Sequence, residues 1–115
     1  MERVSNYLKH MMEHIRDIKA FIKDTESFEA FEADRKTHQA VTYGILNIGE
    51  LANDLKKLFP DVLDRHPEIP WNGIIGTRNR AAHGYHKLNL EYIWDAAKND
   101  LPVLEKVIQK ELDRC

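Results

Sequence analysis

An intrachain disulfide is impossible in this chain, because Cys115 is its single cysteine, and that residue offers no local metal set either. Five glycines and four prolines in 115 residues are too few for a turn-rich β architecture. No apolar run reaches the roughly 18 residues required of a membrane span. Positive charge is not in surplus. The formal net charge of −2 and the isoelectric point near 6.3 exclude a globally basic nucleic-acid coat and confine any nucleic-acid contact to a local patch. The opening residues, Met1 to Asn6, read as the start of an amphipathic helix and not as a signal peptide, so a cytoplasmic protein without membrane contact is expected.

What the chain does have is helix-forming material. Its 43% hydrophobic content supports one ordinary core, and residues 1–115 are expected to form a single all-α domain of four to five helices. Val4, Leu8, Met11, Ile15, Ile18 and Ile22 recur at steps of three and four and predict a first helix over residues 2–23. Ser27 is a candidate N-cap for a short turn or helix anchored by Phe28 and Phe31. Val41, Ile45, Ile48, Ala52 and Leu55 predict a long helix over residues 34–59, which at about 1.5 Å per residue would span about 39 Å. Gly44 and Gly49 within it each cost roughly 1 kcal/mol of propensity relative to alanine, which points to a helix crossing or a dimer contact at those positions. Pro60, Pro67 and Pro70 mark residues 61–70 as a restrained connection. A further helix is expected from Trp71 to about His83, stopped by Gly84, and a last one capped by Asn89 and kinked at Pro102.

The densest chemistry lies in residues 76–85, which gather Arg78, Asn79, Arg80, His83 and Tyr85. A fixed cation, an amide, an imidazole and a phenol suit phosphate binding or phosphate chemistry. The spacing alone is weak. Arginine followed after four to six residues by histidine occurs at Arg3 and His10, Arg78 and His83, and Arg80 and His86, against about one match expected by chance. Only the second brings a polar neighbour, a terminating glycine and a tyrosine. Residues four apart differ by roughly 40° around a helix and residues five apart by roughly 140°, so Asn79 and His83 would share a face that Arg78 does not. Convergence of Arg78 on His83 then needs the reach of the arginine side chain, the helix end at Gly84 or a second copy of the chain, the last two together being favoured. The rival reading is structural: Arg78 and Arg80 would offset the negative end of their helix, at about 0.3–1 kcal/mol each. His10 and His14, one turn apart, lack a third ligand of matching spacing, so no metal and no cofactor are expected. Glu50, a carboxylate on a largely apolar helix, calls for a basic partner, and Arg78 or Arg80 could supply it.

These residues sit in a wider order: Asp34, Arg35, Lys36 and Thr37, then Ala40 and Val41, then Ile48, Gly49 and Glu50, then the run over residues 66–71. Arg78, Asn79 and Arg80 follow, then His83, Gly84 and Tyr85, and finally Asp100, Leu101 and Pro102. Over nearly its whole length the chain resembles the HepT family of the HEPN helical superfamily. The resemblance implies a HEPN-type helical bundle, a two-fold homodimer, and a metal-independent endoribonuclease toxin paired with a minimal nucleotidyltransferase (MntA-like) antitoxin. It implies that Arg78 and His83 form the catalytic R-x-x-x-x-H motif, that Asn79 is its polar companion, and that Glu50 is the supporting acid of the long helix. Tyr85 would be the tyrosine to which the antitoxin transfers AMP from ATP. In that scheme His83 takes a proton from an RNA 2′-hydroxyl and Arg78 holds the phosphate. Two other readings stand beside it: a non-catalytic subunit that presents substrate or nucleotide to a nucleotidyltransferase, and a purely structural helical dimer.

Overall fold

The computed structural model describes residues 3–82 and 89–115, and the regular structure of those residues is entirely helical. Helix α1 (Val4–Phe21) buries Leu8, Met11, Ile15 and Ile18 along one face. Helix α2 (Phe28–Ala33) starts at Ser27, whose hydroxyl accepts the Ala30 N–H at 3.1 Å, as the sequence predicts. Its Phe31 is fully buried against the Trp94 ring, with centroids 5.0 Å apart. Helix α3 (Arg35–Leu58) starts at Asp34, which accepts the Thr37 N–H at 3.1 Å and the Thr37 hydroxyl at 2.6 Å. Those two bonds hold the Asp34 carboxyl below its ordinary range.

Residues 61–70 are a connection only in part. Helix α4 (Pro60–Asp64) occupies its first half, because a proline in the first turn gives up an N–H that would have had no partner there, and Asp61 suits the positive end of the helix. Pro60 therefore both ends α3 and opens α4. Helix α5 (Trp71–Ala82) follows, then α6 (Leu90–Asp95), whose cap Asn89 accepts the N–H groups of Glu91 at 2.8 Å and Tyr92 at 3.4 Å. The break expected at Pro102 takes the form of a wide π-helical turn, Ala96–Asp100, ahead of helix α7 (Leu101–Arg114). A proline ring crowds the carbonyl four residues before it, and the widened turn lies where that carbonyl would be.

Helix α3 is the centre of the bundle, with α1 on one side and α5 on another, while α7 packs on α1. The two glycines are the crossing points. A methyl on Gly44 would come within 2.8 Å of Ile18 Cδ1 of α1, and one on Gly49 within 2.7 Å of the Ile74 carbonyl oxygen of α5. The two crossings differ in what can yield. At Gly44 the atoms met are Ile18 Cδ1 and Cγ1, side-chain atoms of a buried isoleucine, whereas the Ile74 carbonyl belongs to a helix backbone. Gly44→Ala should therefore cost less than Gly49→Ala, because a helix-propensity gain of about 1 kcal/mol offsets part of the side-chain adjustment. Gly49→Ala should cost about 1–3 kcal/mol. Urea unfolding of both variants checks this, and equal midpoints would refute the backbone account of the α3–α5 contact.

Glu111 of α7 is 3% exposed and is clasped from the α4–α5 connection. Arg65 donates to it twice, Nε at 3.1 Å and Nη2 at 2.6 Å, and His66 Nε2 lies 2.6 Å from Oε2. The His66 carbonyl in turn accepts the Trp71 indole N–H at 3.0 Å, so the clasp also fixes the start of α5.

Candidate active site

The docking of α5 on α3 at Gly49 brings Arg78 beside Glu50. A methyl on Gly49 would lie only 3.2 Å from Arg78 Cβ, which shows how close the arginine stem runs to the α3 backbone. Arg78 Nε donates to Glu50 Oε2, and Arg78 Nη1 donates to Asn79 Oδ1 at 3.0 Å. Of the two basic partners that the sequence offers Glu50, the structure selects Arg78. The two side chains are 41% and 47% exposed, so the pair contributes roughly 0–1 kcal/mol to stability and matters more for orientation. Three of the five guanidinium N–H donors are left unspent by Glu50 and Asn79. Asn79, the polar companion that the resemblance implies, thus steadies the guanidinium.

Arg80 leaves α5 on a different side, since two residues correspond to roughly 200° of helix rotation. Its Nη2 donates to Thr77 Oγ1 at 3.3 Å, and its guanidinium carbon lies 4.9 Å from the centre of the Tyr92 ring. Thr77 is fully buried and donates to the Gly73 carbonyl at 3.0 Å. The Tyr92 hydroxyl donates to the same carbonyl at 3.1 Å and lies 3.1 Å from Thr77 Oγ1. Thr77 and Tyr92 are thus parts of the site that the sequence reading passed over. The signal available was faint: a threonine four residues after a glycine inside a helix, a spacing at which its hydroxyl can bond back to the preceding turn.

Both arginines are engaged by side chains, Arg78 by Glu50 and Asn79 and Arg80 by Thr77 and Tyr92, while Arg80 also stands in the last turn of α5, where its charge suits the negative helix end. His83 and Tyr85, the expected proton carrier and modified phenol, lie outside the described residues, as does Gly84. Among the described residues no group of three His, Cys, Asp or Glu side chains could hold a metal ion, and no helix is long and apolar enough to cross a membrane.

A family model described as "Ribonuclease HepT-like" matches residues 11–111. The chain is 33% identical over 109 residues to "Probable ribonuclease HepT" of Thermococcus cleftensis, covering 91% of this chain and 92% of that protein. It is 32% identical over 110 residues to "Putative RNase MJ0127" of Methanocaldococcus jannaschii, covering 92% and 88%. A third relative, "Putative RNase TTE0752" of Caldanaerobacter subterraneus subsp. tengcongensis, is 30% identical over 108 residues, covering 94% and 93%. No solved structure matches the chain significantly.

Proposed function

The chain belongs to the HepT-like ribonuclease family, and on that premise we propose that it is a metal-independent endoribonuclease working through Arg78 and His83 in the groove of a two-fold homodimer. The observation that carries this reading is the state of Arg78. Its guanidinium is oriented by Glu50 and Asn79, half exposed, and retains donors for a phosphate.

In the reaction His83 accepts the proton of an RNA 2′-hydroxyl. The 2′-oxygen attacks the adjacent phosphorus, the bond to the 5′-oxygen breaks, and that oxygen takes up a proton from the second histidine of the dimer. The products are a 2′,3′-cyclic phosphate and a 5′-hydroxyl. Arg78 stabilises the charge that develops on the non-bridging oxygens, and general base help of this kind contributes roughly 10²–10⁴ in rate.

Control belongs to the same proposal. As a toxin, the chain is silenced by a minimal nucleotidyltransferase antitoxin that joins the Tyr85 phenol oxygen to the α-phosphate of ATP, with pyrophosphate leaving. The new phosphodiester places one negative charge two residues from His83, where it competes with RNA for Arg78.

Purified chain should cut RNA in the presence of EDTA and leave cyclic phosphate ends, while His83→Ala should not. Cutting by His83→Ala at the rate of the unaltered chain would end the assignment. In the same preparation, ATP and the partner should add the mass of one AMP to the unaltered chain and none to Tyr85→Phe.

A further inference from the structure

We propose that Arg80 is a second contact for an RNA phosphate, held ready on the outer side of α5 by the Tyr92 ring and the Thr77 hydroxyl; this rests on the ribonuclease reading above. Two observations separate it from Arg78. The first is charge. Arg78 is neutralised by Glu50, whereas among the described residues no carboxylate pairs with Arg80, and both of its holding groups are neutral. Its positive charge is therefore fully available to an anion. The second is presetting. An exposed arginine ordinarily has to give up many side-chain conformations when a ligand binds, and a ring beneath one face with a hydroxyl at one edge removes part of that freedom in advance.

The holding groups are themselves fixed. Tyr92 is tied through its hydroxyl to Gly73 and through its N–H to the Asn89 cap, and Thr77 is buried. The guanidinium thus rests on a frame shared by α5 and α6, and Thr77 engages only one of its two terminal amino groups.

The surface next to Arg80 suits a sugar–phosphate strand. Positions 72, 76, 79 and 80 fall within roughly 100° of one another around α5. Asn72 and Asn79 are exposed, and a methyl on Gly76 would meet nothing within 4 Å. This face is neutral, low in relief and able to donate and accept hydrogen bonds, with one preset cation at its edge. A single RNA strand crossing it would set a phosphate on Arg80 and its ribose hydroxyls against the asparagines.

The test uses a labelled single-stranded RNA of mixed sequence and the His83→Ala chain, so that the RNA stays whole. Binding is followed by fluorescence anisotropy over a salt series. Arg80→Gln should weaken binding roughly tenfold and lower the slope of log affinity against log salt by about 0.7, the value of one phosphate on a single strand. Arg80→Lys should keep the slope and lose part of the affinity. Tyr92→Leu should weaken binding, and in its background Arg80→Gln should cost less than in the parent; Tyr92→Phe, which keeps the ring but loses its tie to Gly73, should weaken binding less than Tyr92→Leu. In the chain that retains His83, the Arg80→Gln loss should fall on KM more than on kcat. If the parent binds RNA and Arg80→Gln, folded by circular dichroism, leaves affinity and slope unchanged, the Arg80 contact is overturned and the ribonuclease reading stands. If the parent neither binds nor cuts RNA, the ribonuclease reading itself falls and takes this inference with it.

Discussion

Arg65→Ala is expected to lower folding stability at neutral pH more than an ordinary surface substitution, because it leaves the buried Glu111 carboxylate with His66 at 2.6 Å and the exposed Arg114 at 3.7 Å. The Arg65 guanidinium first, and His66 with it, holds the Glu111 carboxyl down from 4.5 to about 2 in the folded chain. A carboxyl whose folded pKa is depressed stabilises the fold fully above its unfolded pKa and loses that contribution as pH falls through the folded one. The difference between wild type and Arg65→Ala should therefore be full above about pH 4.5 and shrink towards pH 2. A domain of this size has about 5–15 kcal/mol in all, so the thermal midpoint at pH 7 should drop by several degrees. Thermal scans at pH 7 and pH 2.5 decide the matter: a gap that is equal at both would show that the loss does not come from the ion pair.

Arg78→Ala should slow RNA cleavage by about 10²–10³, the usual consequence of removing one well-placed donor to a developing oxyanion. Arg78→Lys should recover only part of that, since an ammonium cannot reproduce the fork that spans Glu50, Asn79 and a phosphate. Glu50→Gln should behave differently: it removes the competing negative charge, so RNA should bind more tightly while turnover falls as the guanidinium loses its brace. Single-turnover cleavage combined with binding measurements separates the three variants. Arg78→Ala cutting at the unaltered rate would remove Arg78 from the chemistry and leave Glu50 a surface partner without consequence.

Local signals were legible and non-local ones were not. Ser27 and Asn89 could be identified as caps because the bond they make closes within three residues, and the α1 stripe followed from spacing alone. Gly44 and Gly49 announced close packing, yet which helix met which glycine depended on the fold. Pro60 misled because a proline that stops one helix is equally suited to begin another. The Arg65–Glu111 clasp joins residues 46 positions apart, and nothing near either one points to the other. In the site, Arg78, Asn79 and Glu50 were chosen for their chemistry and the fold brings them together. Thr77 and Tyr92 were passed over because their importance lies in holding Arg80, which depends on Tyr92 of α6 meeting Gly73 and Thr77 of α5.

The support of α5 has one more consequence. It is anchored from beneath, through the backbone contact at Gly49 and the buried Thr77, while on its outward side Asn72 is exposed and a methyl on Gly76 would meet nothing within 4 Å. The surface that would meet a substrate is thus uncoupled from the surface that keeps the domain folded. Related chains built on this bundle are free to diverge at those outward positions, acquiring different RNA preferences by single exchanges, without passing through intermediates that fail to fold.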